Sequence, residues 1–489
     1  MKVKNVDGCL DMEDKGRYRN LFLNAVLFAV NAFATKFVVF LLVPLYTHFM
    51  SSEEYGIADM SLTVISLVTP LATLSIADAA VRFIVGNRKD ECEYVAIAFI
   101  VTCLSVPLIL LLTPILDLSF FGGLGGYKIE FVVAYAAGAF LQFCSEAARG
   151  IGRIRLIPIF AAISSLLTCA CAGVFIGLRG YAIRGYFISV SIGPMAAVAL
   201  YLTVGGLGKL VAAGVGALAA RDFASGFKSA VEPMLRYSLP LIPNSLFWWI
   251  GTSINRFFIT GMMGIGASGL FAAAGKVPGL VNTVYTVFQQ AWQLSAFQEA
   301  RKKGVEAFFS QVFLMLQAVM LSLCSILILF APAVAEVILQ GEFYHAWPFM
   351  PLLLLSNLLN VFNAFYGTVY TSTLHTSYIM KTTILGAVAC TILTPLLIVP
   401  FGVAGACAAS CCGNAIVLVM RAKDSRQYLI LDAGWRYLVP SLLMIVLQVL
   451  LTLLRVSYWQ VLSGVLAASI LIVQVARCIL SGRKAKRFS

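Results

Sequence analysis

Stretches of about twenty apolar residues, the length a helix needs to cross the hydrocarbon core of a bilayer, recur along nearly the whole chain. Their centres fall near residues 33, 70, 105, 139, 167, 192, 249, 281, 319, 359, 389, 412, 444 and 469. No intervening stretch is long enough to build a sizeable soluble domain. Of the 489 residues 60% are apolar and only 12% charged, far from the balance of a soluble globular chain. The pattern predicts an all-α polytopic membrane protein with about fourteen transmembrane helices. The first window follows a basic N-terminus but is too long for a signal peptide, contains Lys36 and lacks an obvious cleavage site. It is expected to be retained.

Lys and Arg set the orientation. With the N-terminus in the cytoplasm, 27 of the 35 cationic residues fall on cytoplasmic segments, among them Arg421 and Arg477, and Lys128, Arg179, Arg184 and Arg455 fall outside. Both termini are therefore expected to be cytoplasmic. The net charge of +13 is mostly this positive-inside bias and implies no nucleic acid. Most of the twelve cysteines lie within spans and are expected to be reduced. The three histidines have no ligand spacing, so no metal is assigned, and no cofactor is called for.

Residues 205–236 interrupt the spans with a Gly/Ala run and scattered charges, which suits a cytoplasmic amphipathic linker. The flanking halves repeat weakly. TKF at 35–37 matches NRF at 255–257, and RGYAIRG at 179–185 matches PFGVAG at 400–405, both with an offset of 220. YGIA at 55–58 pairs with SGLF at 268–271 if the second half has lost seven residues. The expected organisation is a cytoplasmic N-terminus (1–19), an N-lobe of six helices (20–204), the linker (205–236) and a C-lobe of six helices (237–423). Two appended helices (433–480) and a basic cytoplasmic tail (481–489) follow. Transporters built from repeated halves place their substrate between them.

An ionisable group deep in a span faces a bundle interior or a wet cavity. Lys36, Asp78, Arg256 and Lys276 are such groups, while Asp59 and Arg82 lie nearer span ends and can snorkel. Three cations against one acid describe a chamber for an anion, and Arg clasps phosphate better than Lys because its fork engages two oxygens. Arg256, Lys36 and Lys276 are the candidate ligands of an anionic, phosphate-like group, with Asp78, Arg82 and Asp59 as candidates for coupling or charge balance. Alternatively, Asp78 neutralises Lys36 and Arg256 bonds carbonyls. Gln289, Gln293, Asn360 and Asn363, with Asn357, offer hydrogen bonds to sugar hydroxyls, and Trp249 and Trp292, with Trp248, offer stacking faces. The same residues also serve as helix glue and packing. The chain has no P-loop motif, and its outer loops carry no catalytic constellation. It is not expected to be an enzyme.

MLRYSLPLIPNS (234–245), INRF (254–257), GLFAAAGKVP (269–278) and FQQAWQLSA (288–296) resemble the polysaccharide (oligosaccharide) flippase family of the multidrug/oligosaccharidyl-lipid/polysaccharide exporter superfamily. VPLYTHF (43–49), EEYG (53–56) and AAVRF (79–83) extend the likeness into the first half. The resemblance implies a flippase in the bacterial plasma membrane. It would move undecaprenyl-diphosphate-linked oligosaccharides outward by alternating access, for O-antigen, capsule or exopolysaccharide. Membrane lipid would surround it, with glycan polymerase and other assembly proteins as candidate partners. The family often has Asp-Arg where this chain has Asn255 and Arg256, so an ion-coupling role of that Asp does not carry over. Appended helices in similar proteins help form a groove for the lipid tail. The alternatives are a cation-coupled multidrug exporter of the same superfamily, a membrane-embedded glycan polymerase or ligase, and a scaffold.

Overall fold

Lipid offers the backbone no hydrogen-bond partners, so an apolar chain of this kind closes its N–H and C=O groups within helices. The computed structural model describes residues 40–86, 90–220, 231–299, 304–373, 375 and 377–488, and no strand occurs among them. Lys36 lies outside the described residues.

The first half comprises α1 (Phe40–Phe49), α2 (Ser52–Ala72), α3 (Ile76–Gly86), α4 (Glu91–Leu112), α5 (Lys128–Gly150), α6 (Leu156–Ala172), α7 (Ala182–Leu202) and α8 (Leu207–Ala220). The short α9 (Glu232–Ser238) precedes α10 (Leu241–Met263), α11 (Ile265–Ala274), α12 (Lys276–Glu299), α13 (Val305–Leu329), α14 (Ala331–Ile338), α15 (Phe349–Ser372) and α16 (Ser377–Asp424). The chain ends in α17 (Trp435–Leu453) and α18 (Trp459–Phe488).

Ten helical segments among the described residues are long and apolar enough to cross a membrane. One of them, 50 residues from Tyr378 to Gln427, would be about 75 Å long if straight, more than twice a hydrocarbon core. It is broken at Gly402 (φ 59°, ψ −140°), where a residue with a Cβ would be strained. α16 thus holds two of the expected windows, those centred near 389 and 412.

The window near residue 70 is likewise two helices. Pro70 and a turn at Thr73–Leu74–Ser75, where Leu74 and Ser75 have positive φ, separate α2 from α3. The SSEEYG sequence explains where α2 begins. The Ser51 hydroxyl accepts from Glu54 N (3.2 Å) and the Glu54 carboxylate accepts from Ser51 N (3.0 Å), a reciprocal capping box. Within 205–236, the Gly/Ala run forms α8 and packs on α4, with Gly214 against the Cys92 carbonyl.

The halves meet at the end that the charge pattern assigns to the outside. α2 crosses α11 so closely that a Cβ on Gly56 would strike the Ile265 carbonyl and one on Gly269 the Ser52 carbonyl. The missing Cβ of both glycines lets the two backbones touch, as small residues do in membrane interfaces. Thr47 Oγ1 donates to Ile338 O (3.1 Å) and accepts from Gln340 N (3.2 Å). His48 Nδ1 lies 2.6 Å from Gln340 Oε1, and Ser52 N donates to the Glu342 carboxylate.

α17 and α18 dock on α13 through buried polar contacts. Gln448 Nε2 donates to Ser463 Oγ (2.8 Å) and Ser325 O (2.9 Å), while Ser325 Oγ donates to Gln448 Oε1 (2.8 Å). Arg477, counted among the cytoplasmic cations near the end of the last expected helix, is buried and donates to Gln317 Oε1 (2.7 Å) and Ala433 O (3.1 Å). Hydrophobic scanning places such a residue in a loop because it lies at the apolar limit of its helix. Its partners lie far away in sequence and give no local signal.

Candidate functional site

Three helices bring the site together. Asp59 lies two turns into α2, Arg256 two turns from the end of α10, and Lys276 at the start of α12. All three therefore stand in the same layer, beneath the sealed end. Arg256 Nε donates to Asp59 Oδ2 at 2.5 Å, and Lys276 Nζ is 3.6 Å from Asp59 Oδ1. Asp59 is buried, while Arg256 and Lys276 keep about a quarter of their side-chain surface exposed. The Arg256 guanidinium also lies 5.9 Å from the Phe271 ring centre, and Lys276 Nζ lies 5.7 Å from that of Tyr55. Cation–π attraction adds to the ion pairing that orients both groups.

One carboxylate against two cations leaves this cluster with a net positive charge. Asp59, a candidate for charge balance that could also have snorkelled, points into the protein and pairs with both cations. Asp78 and Arg82, displaced onto α3 by the break at Thr73–Ser75, are exposed and line no part of the cavity below the cluster. Asp78 feels the Arg149 charge instead, and Arg149 forms an ion pair with Glu146 (2.9 Å). The expected Asp78–Lys36 pairing involves a residue outside those described.

Arg256 and Lys276 line a cavity of about 820 Å³. Its walls come from α10, α12, α15 and α16 and are rich in amides and hydroxyls: Asn255, Asn282, Asn357, Asn360, Asn363 and Asn414 with Thr252, Thr283, Thr286 and Ser356. Several amides tie the walls together. Asn255 is buried between α10 and both halves of α16, accepting from Thr394 Oγ1 (2.7 Å) and donating to Ser410 Oγ (2.6 Å). Asn357 donates to Pro278 O (3.1 Å) and Asn363 to Asn414 O (2.9 Å). Asn360 is exposed, and its amide has no hydrogen-bond partner among the described residues. Trp248, also exposed, lines the same cavity.

The remaining candidates lie elsewhere. Gln289 and Gln293 on α12 do not line the cavity. Trp249 is buried between the halves, its Nε1 donating to Thr63 O and Ser66 Oγ (3.1 Å each) and its ring edge-on to Phe257. Trp292 is stacked on Phe365 at 4.9 Å and 12°, in a core with Phe309 and Phe313. Both indoles are packing elements here and leave no face free for a sugar. Arg421, assigned to a cytoplasmic loop by its place in the sequence, is buried and lines the cavity.

Comparison with solved structures places this architecture. The lipid II flippase MurJ in an inward closed conformation has a TM-score of 0.67 at 12% identity, over 92% of this chain and 98% of that one. An inward-facing multidrug resistance MATE family transporter of the MOP superfamily has 0.65 at 15%, over 80% and 94%. A MOP superfamily transporter from Pyrococcus furiosus Vc1, described as having a binding pocket of reverse polarity, has 0.53 at 14%, over 83% and 95%. At these identities the likeness establishes the fold, that of MOP-type transporters. No curated protein sequence matches. The family model described as "Polysaccharide biosynthesis protein" matches residues 22–293, which span the first half, the cation cluster and most of α12, and the chain therefore belongs to that family.

Proposed function

We propose that the chain is a flippase that moves undecaprenyl-diphosphate-linked oligosaccharides from the cytoplasmic to the outer leaflet of a bacterial plasma membrane, for cell-surface polysaccharide assembly. The observation that carries this reading is the net-positive cluster of Arg256, Lys276 and Asp59 at the head of an amide-lined cavity. A diphosphate would replace or share Asp59 as the anion between the two cations, while sugar hydroxyls meet the amides. Lys36, which lies outside the described residues, is proposed as a third diphosphate ligand. Membership of a polysaccharide biosynthesis family and the likeness to a lipid II flippase support a lipid-linked substrate.

In this reading the chain has fourteen spans, with lobes at 20–204 and 237–423 joined by the linker, helices 433–480 appended, and both termini cytoplasmic. The cavity opens to the cytoplasm, and the Gly56–Gly269 crossing closes the outer end. Rocking of the lobes would open the outer end while the polyprenyl tail stays in lipid. Glycan polymerase would receive the product.

The test is Arg256→Ala in cells that depend on this chain for surface glycan. Loss of export with the protein inserted at normal abundance is expected. Export at the wild-type level would overturn the assignment.

A further inference from the structure

Near the end of α16, Arg421 is 7% exposed yet lines the cavity. Neutral groups hold it: Nε donates to Thr382 Oγ1 (3.0 Å), Nη1 to Asn363 O (2.8 Å), and Nη2 to Thr383 Oγ1 (3.1 Å) and Ile379 O (3.4 Å). No carboxylate among the described residues forms an ion pair with it. Ionisable groups inside membrane proteins pair with one another or with backbone carbonyls and mark substrate pathways; here two carbonyls and two hydroxyls satisfy four of the donors, but no carboxylate offsets the charge. A guanidinium has five N–H donors, and the four contacts above leave one N–H of Nη1 for a ligand.

A second observation points the same way. Asn363 is 3% exposed and lines the cavity, and its Oδ1 is buried without a hydrogen-bond partner among the described residues. Asn360, one helical turn away, presents a free amide to the cavity. Here an acceptor that lacks a donor sits beside a cation that lacks an anion.

The two positive poles are well separated. Asn255, the neighbour of Arg256, bonds Ser410, and eleven residues of helix separate Ser410 from Arg421, roughly 16 Å of rise between their backbones. The two cations are thus carried at different levels of the cavity wall.

We infer that Arg421, Asn363 and Asn360 form a second anion subsite, and that the head group carried through the cavity is an acidic oligosaccharide. A sugar carboxylate meets the free N–H and charge of Arg421, and a neighbouring hydroxyl meets the exposed amide of Asn360. A phosphate clasp is not available at Arg421, because a bidentate grip needs two parallel N–H groups. This inference rests on the flippase reading, which places the diphosphate at Arg256 and Lys276.

The test uses the full chain in phosphatidylcholine nanodiscs, free of anionic lipid, with binding followed by Trp248 fluorescence or calorimetry. The probes are tetragalacturonate, its fully methyl-esterified form and inorganic pyrophosphate. The wild type is expected to bind the acid at least tenfold more tightly than the ester. Arg421→Gln should erase that preference and leave pyrophosphate affinity unchanged. Asn360→Asp, which adds a carboxylate beside the pole without removing an internal hydrogen bond, should erase it as well and decides the matter if Arg421→Gln fails to fold. Equal binding of acid and ester by the wild type, or a preference that survives Asn360→Asp, overturns the inference. So does loss of pyrophosphate binding in Arg421→Gln, which would put the diphosphate at this pole. If pyrophosphate binds and is lost on Arg256→Ala while the acid is not preferred, the flippase reading stands and the second subsite falls.

Discussion

Asp59 and Arg256 are 197 positions apart in the sequence, and their side chains meet at 2.5 Å across the boundary between the two halves of the protein. Lys276 reaches the same carboxylate from a third helix. An ion pair in this position does two things at once. It holds the halves together at one end, and it occupies the place an anionic ligand would take. In the proposed function, entry of a diphosphate would loosen the two halves through this one carboxylate.

Asp59→Asn separates those roles. The substitution removes the competing anion but keeps the shape, leaving two cations for the ligand. We expect pyrophosphate to bind about tenfold more tightly, about 1.4 kcal/mol, while transport slows because the ligand is harder to release. Calorimetry on the purified protein measures the first effect and a glycan export assay the second. Unchanged affinity would mean that Asp59 does not compete with the ligand.

Arg256→Lys keeps the charge but loses the planar fork. If the guanidinium grips two phosphate oxygens, export should fall at least several-fold at normal protein abundance, and Arg256→Ala should fall further. Full activity of the Lys variant would reduce the role of Arg256 to simple charge.

Gly269 is in backbone contact with Ser52. Gly269→Leu has no room in the closed crossing and should hold the outer end open. A cysteine introduced at Asn360, within the cavity, would then be labelled from outside by an impermeant maleimide several times faster than in the parent. No change in labelling would show that this crossing is not the outer seal.

Trp292 is a packing residue whose buried Nε1 has no hydrogen-bond partner among the described residues. Trp292→Phe should therefore retain most export activity, whereas Trp292→Ala should cost about 3–5 kcal/mol of stability through the cavity it leaves. Thermal unfolding measures the cost. A Phe variant that is stable but inactive would restore a sugar-stacking role.

Hydrophobic length alone made the helices legible, because the bilayer imposes it. The repeat was legible only in fragments; Gly56 and Gly269, paired in that reading, lie at one close crossing of α2 and α11. Arg256 and Lys276 stood out because a cation within an apolar run has few explanations. Asp59 was undervalued because depth was judged from distance along the helix, and the partner that turns it inward is on α10. Asp78 was overvalued because the break at Leu74–Ser75 carries no strong sequence signal beyond Pro70. Arg421 was hidden among loop cations. Its burial depends on Asn363 and Thr382, from two other helical segments, and no local pattern shows that contact.

The central claim is that the chain carries a lipid-linked oligosaccharide across the membrane with Arg256 at its head group. The most direct test follows the leaflet location of radiolabelled lipid-linked oligosaccharide in cells depleted of the protein and then resupplied. The account requires the labelled pool to accumulate on the cytoplasmic face and to move outward only when protein with Arg256 intact returns. A pool that reaches the outer face without the protein, or with Arg256→Ala as fast as with wild type, would contradict it.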